Sequence, residues 1–218
     1  MAELISDKPS VVLLGSLNPQ IFQPSWFARH ELLRPGEADI APVEVIHQEL
    51  SKFTTEWVEI QVTRDRFMAI AADPRYVEAL RDLVMGTFTV LRHSPVRAIG
   101  FNRTIHYRMD DEAAWHALGD RIMPKDIWKP LLDQSVRPGM ISAIVQGTPR
   151  GRPGARLQVR VHSAEALGVI FAINEHYDTT GAQDAGASLE RLQEHWIPAQ
   201  QYASEIAASV IREAGNGR

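Results

Sequence analysis

The stretch FTTEWVEIQVTRDRFMAIA, Phe53 to Ala71, decides the fold. Val58, Ile60 and Val62 alternate with Glu59 and Gln61, the period of a strand with one buried face. Trp57 falls out of phase. Arg64-Asp65 reads as a tight turn, after which Phe67, Ala69 and Ala71 alternate with Met68 and Ile70. Strands joined this closely are antiparallel neighbours. The return strand is apolar on both faces, which predicts a central strand covered on each side.

Working outward, Asp73-Pro74 opens a helix in which Val77, Leu80, Val84, Phe88 and Leu91 recur at spacings of 3 and 4, to about His93. VRAIGFNRTIHYR follows as a strand, with Ile99, Phe101, Ile105 and Tyr107 on one face and Ala98, Gly100, Asn102, Thr104 and His106 on the other. Upstream, SVVLLGS (Ser10 to Ser16) reads as a buried strand. Asn18-Pro19 and Pro24 start short helices carrying Ile21, Phe22, Trp26 and Phe27, RPGEADIAP reads as a loop, and VEVIHQE (Val43 to Glu49) as a weak strand. Downstream, DDEAAWHALGDRI predicts a helix with an acidic first turn, and MPKDIWKPLL a second helical turn before a loop at Ser135 to Gly139. Three strands come next: MISAIVQGT, ARLQVRVHS and GVIFAINEHYD. The small, polar tract from Thr179 to Ala187 reads as a linker.

The last segment, about Ala187 to Ala214, places Leu189, Leu192, Trp196, Ala199, Ala203, Ile206 and Val210 at alternating spacings of 3 and 4. Such a seam must be buried. Leu189, Leu192, Trp196, Ala203, Ile206 and Val210 are therefore expected at an interface, internal or with a second chain. Pro198 should kink the helix, since it removes one backbone bond and crowds the carbonyl of Glu194. Hairpin-like strand neighbours with segregated helices predict an α+β protein, with a largely antiparallel sheet and helices packed on one face. The whole chain, 1–218, is expected to form a single α+β domain, with 1–130 and 131–218 as candidate similar β-rich halves. GFNRTIHY and AINEHY, each carrying Asn and then His-Tyr, form a weak internal echo.

The chain has 218 residues, 44% of them hydrophobic and 23% charged, which excludes the disordered and fibrous classes. Its net charge of -4 ranks nucleic-acid binding last. The absence of cysteine rules out disulfides, thiolate metal sites and a cysteine nucleophile. No apolar run approaches the ~18 residues of a membrane helix. The opening MAELISDKPSVVLLG does not read as a signal peptide, so the cytoplasm is the expected compartment.

Catalytic patterns are missing. The eight histidines form neither HExxH nor a close His-x-His pair, and no metal or cofactor is expected. His106 with Asp110, His116 with Asp120, and His176 with Asp178 read as hydrogen-bonded surface pairs. There is no GxSxG elbow, no SxxK and no phosphate loop. The basic stretch TPRGRPGAR reads as a hairpin loop, in which Arg150, Arg152 and Arg156, with Arg160 beyond, are candidate contacts for an anion or nucleic acid. The one unusual polar cluster is Asn102, His106, Asn174 and His176, carried on two strands. Side by side, these would gather into a polar concavity for a small ligand or acid/base work, or into a structural hydrogen-bond network.

LNPQIFQPSWF, VTRDRF, AIGFNRTIHY, ALGDRIMPKDIW and INEHY together resemble uncharacterised bacterial proteins of similar length, over roughly residues 10 to 210. The RF strand and the strand with a mid-run Asn are also distantly similar to a sporadically distributed bacterial family of unknown function. The resemblance transfers no activity. It implies horizontally mobile genes such as those of defence or toxin-linked systems.

The expectation is thus a non-catalytic, protein-binding subunit or accessory of a bacterial assembly, with a protein partner or a homodimer. Absent motifs, the apolar seam, and the five Trp and nineteen Arg carry it. A small-ligand sensor or enzyme using the Asn/His face is the alternative.

Overall fold

The computed structural model describes residues 2–124, 142–165, 167–182 and 184–215. The strands are β1 (Glu3–Gly15), β2 (Val43–Ile46), β3 (Leu50–Thr54), β4 (Val58–Thr63), β5 (Arg66–Ala71), β6 (Val96–Arg108), β7 (Ser142–Gly147), β8 (Ala155–Ala164) and β9 (Gly168–Asp178). All nine join one sheet, in the order β2-β3-β4-β5-β1-β6-β9-β8-β7, and each pairing is antiparallel. The helices are α1 (Pro24–Arg29), α2 (Pro35–Ile40), α3 (Val77–Val90), α4 (Glu112–Ile122) and α5 (Gly186–Gly215). The α+β architecture read from the sequence is the observed one.

Local chemistry starts the helices where the sequence places them. Asn18 Oδ1 accepts from the Gln20 amide at 3.2 Å and Asp73 Oδ1 from the Arg75 amide at 2.9 Å, each opening a 3-10 turn at the following proline. Asp111 caps α4 by accepting from the Ala114 amide at 2.7 Å. The tract read as the RPGEADIAP loop holds α2 instead, with Pro35 in its first turn. Turn chemistry at Thr55, whose Oγ1 accepts from the Val58 amide at 3.2 Å, divides the Phe53 strand from β4. The second helical turn and the loop read within 125–139 lie outside the described residues.

The helices share one side of the sheet. Val11, Ile60, Phe67, Ile99, Phe101, Ile105 and Phe171 point towards them and are buried. α5 runs under both ends of the core: Leu192 and Trp196 join the cluster around Phe22, Phe67 and Phe88, while Ala203 and Ala207 join that around Ile105, Leu118 and Phe171. The seam is therefore buried against the chain's own sheet, with Leu192 and Trp196 at 0% exposure and Leu189, Ile206 and Val210 half-buried. The helix continues through Pro198, which sits on the solvent side.

The supposed linker is pinned rather than free. Thr179 N–H donates to the Arg97 carbonyl at 2.9 Å, Ala185 N–H to the Arg92 carbonyl at 3.0 Å, and Ala185 is fully buried.

Candidate functional site

No described helix packs on the other face of the sheet. This corrects the reading of β5 as covered on both sides: Phe67, Ala69 and Ala71 face the helices, while Met68 and Ile70 lie half-buried on the open face. Cross-strand register places Val12 beside Met68, and Leu14 next along β1, so the open face has an apolar centre on β5 and β1. Sequence alternation does not distinguish a half-buried sheet face from one covered by a second layer.

A polar section adjoins that centre. Register aligns Ser10, Asn102, Asn174, Gln158 and Gln146 in one row across five strands. Asn174 Nδ2 donates to Asn102 Oδ1, and Asn102 Nδ2 turns to the Gly100 carbonyl at 3.4 Å. A Cβ at Gly100 would stand 3.1 Å from Asn174 Nδ2 and press on the amide pair. Arg156 pairs with His176 one row away; Lys8, Thr104, Ala172 and Arg160 form the row on the other side. Three cations thus surround the amide pair, with no carboxylate in these three rows from β1 to β8.

The four predicted residues share this face, but they do not form one concavity. Asn102 and Asn174 meet. His176 pairs with Gly100 and His106 with Ile170, so the histidines stand six residues apart along β6, about 20 Å at the ~3.3 Å rise of a strand. The alternation was right, and the error was one of antiparallel direction: His follows Asn by four residues on β6 and by two on β9, in opposite senses. His176 contributes to a shallow groove of ≈ 280 Å³ with Gln146, Arg156, Gln158 and Asn174. Partial burial, then the Arg156 charge, holds its imidazole below the ordinary value, while Asp178 opposes the shift. Ser10, Gln146, Gln158 and Lys8 escaped the sequence reading, although Gln158 alternates with Arg156 and Arg160 in an already recognised strand.

The basic set divides. Arg150 is exposed at the β7–β8 turn, and Arg156 and Arg160 project from the open face. Arg152 turns inward. Its Nε and Nη2 donate to Glu175 Oε1 and Oε2 at 2.7 and 3.0 Å, and its guanidinium lies 5.1 Å from the Tyr202 ring centroid. It is not a contact for an external anion. Tyr177 also donates to Glu175 Oε1 at 2.6 Å, and burial, followed by that carboxylate, pushes the phenol far above its usual range. Tyr177 stacks on His195, at 5.4 Å between centroids and 11° between planes. A second closed network joins Arg103 to Asp7 and to the Gln200 carbonyl at 2.7 Å. These charges lie between sheet and α5 and hold the fold.

Among the described residues, no group of three His, Asp or Glu side chains is arranged to hold a metal, and no helix is long and apolar enough to cross a membrane. Among the described residues the face offers hydrogen-bond donors, the cations Lys8, Arg156 and Arg160, and an apolar strip. No protein-family model matches the chain, and no curated protein matches it either.

Proposed function

We propose that this chain is a non-catalytic binding subunit or accessory of a bacterial assembly, whose protein partner docks on the sheet face that no described helix covers. One observation carries the reading: the open face joins an apolar strip, Val12, Leu14, Met68 and Ile70, to an amide row rimmed by Lys8, Arg156 and Arg160. An apolar centre with a polar, Arg-bearing rim is the anatomy of a protein interface. The buried polar groups Arg103, Arg152, Glu175 and Tyr177 find their partners inside the fold. Single-stranded nucleic acid fits the face poorly, since Phe101, Tyr107, Phe171 and Tyr177 all alternate to the helix side and leave these strands no Phe, Tyr or Trp ring for base stacking.

The groove at His176 favours a second reading, a polar small ligand held by Gln146, Gln158, Asn174 and Arg156. Tagged protein purified from its host separates the two. Arg156→Glu with Arg160→Glu should release the co-purifying protein while the melting temperature changes little, because both side chains are exposed. Full retention of the partner by this variant would defeat the docking face. A small molecule co-eluting with wild type and lost from Gln158→Ala would favour the groove.

A further inference from the structure

A second surface, remote in sequence from the amide row, has the opposite charge. The turn before β4, the α1–α2 segment and the start of α3 enclose an open groove of ≈ 1310 Å³. Trp57 and Tyr76 form its aromatic wall, with ring centroids 5.7 Å apart and planes inclined by 39°. Leu32 and Ile40 add apolar surface, Ile40 being 81% exposed. Leu32 reaches its place because Gly86 of α3 has no Cβ, which would stand 2.4 Å from Leu32 Cδ2.

Three carboxylates line the groove, Glu31, Glu37 and Glu56, against a single cation, Arg34. Glu37 is half-buried, and its Oε1 is shut from solvent with no hydrogen-bond donor. A carboxylate drawn half out of water with one oxygen unpaired is costly, and a cation held in the groove offsets that cost through the field between them. Tyr76 already shows what its ring accepts: the Arg75 guanidinium lies 5.2 Å from its centroid. Aromatic rings beside carboxylates attract a planar cation through the ring quadrupole and through forked hydrogen bonds.

We infer that this groove binds an arginine side chain presented by an extended segment of a partner protein. The guanidinium lies against Trp57 in the negative field of Glu31, Glu37 and Glu56, and the flanking chain covers Leu32 and Ile40. Arginine fits better than lysine because its planar fork both stacks and donates along two directions. The site is independent of the open sheet face, so either can fail alone.

The test uses the full chain and a fluorescein-labelled peptide, Gly-Pro-Arg-Gly-Arg-Pro-Gly, beside the same peptide with citrulline for arginine. Citrulline keeps the shape and removes the charge. Fluorescence anisotropy should show the arginine peptide binding wild type at least tenfold more tightly than the citrulline peptide. Glu37→Gln and Trp57→Ala should each weaken it at least tenfold. Glu56→Gln, an exposed change that spares the fold, should weaken it measurably if Trp57→Ala proves unstable. Glu49→Gln should bind as wild type, since Glu49 lies outside the groove in an exposed pair with Arg64. Equal binding of the two peptides, binding of neither, or undiminished binding by Glu37→Gln would overturn the inference.

Discussion

Arg103 on β6 and Asp7 on β1 meet fork to fork beneath α5, Nε to Oδ1 at 2.8 Å and Nη2 to Oδ2 at 2.7 Å. Their side chains are only 9% and 8% exposed, so solvent cannot replace a missing partner. Arg103→Met should therefore cost about 3–5 kcal/mol in urea unfolding, chiefly by stranding the Asp7 charge. Arg103→Met with Asp7→Leu should recover most of that loss. A double variant no better than the single would show that the stranded charge is not the cause.

Arg150 and Arg152 sit two residues apart in one turn and should behave oppositely. Arg152→Met leaves Glu175 buried with only Tyr177 donating to it, and should cost about 3–5 kcal/mol. Arg150→Ala, at an exposed position, should stay within about 0.5 kcal/mol of wild type. Thermal melts of the two variants decide it.

On α5 the same contrast applies to Leu192 and Gln193. Leu192→Ala opens a cavity in the core and should cost about 2–5 kcal/mol. Gln193→Ala faces solvent and should be neutral within about 0.5 kcal/mol. Sedimentation should show both variants in the same oligomeric state as wild type, because the seam is occupied within one chain.

His176 gives the fold a pH dependence of known sign. Its folded-state affinity for a proton lies below the ordinary value of 6.5, so the unfolded chain takes up the proton first. The stability from the neutral ring is present above about pH 6.5 and lost as pH falls through the lower folded value. His176→Gln should flatten the fall in melting temperature over that window. An unchanged slope would assign the dependence to other groups.

Separation on the sheet fixes which face residues couple. His106→Ala and His176→Ala should add within about 0.5 kcal/mol, being far apart on β6 and β9. Asn102→Ala and Asn174→Ala should depart from additivity by about 0.5–3 kcal/mol, because one amide donates to the other. Four single and two double variants complete the cycles.

Alternation and capping made most of this architecture legible. Val58 to Val62, Phe67 to Ala71 and Ile99 to Ile105 each announced the face they bury, and Asn18, Asp73 and Asp111 their helix starts. What stayed hidden depends on strand order. Nothing local in SDKPSVV reveals that Asp7 meets Arg103, ninety-six residues away. Arg152 looked like a solvated loop cation because its partner lies on β9. The Asn row was visible as two faces, while the distance between the histidines required the antiparallel register. Trp57, out of phase in its strand, was the trace of the turn that places it in the acidic groove.

The two buried Arg–carboxylate pairs also guard against mispairing during folding. Sliding β9 along β6 by two residues, about 7 Å, keeps every side chain on its own face, so alternation cannot reject it. The slip would set Asn102 against Ala172 or His176 and carry Glu175 away from its place opposite Phe101. α5 forbids this, because its Gln200 carbonyl receives Arg103 while Tyr202 packs on Arg152, the ligand of Glu175. One helix thus gauges the offset between two strands, and only one offset lets both guanidinium groups find their partners.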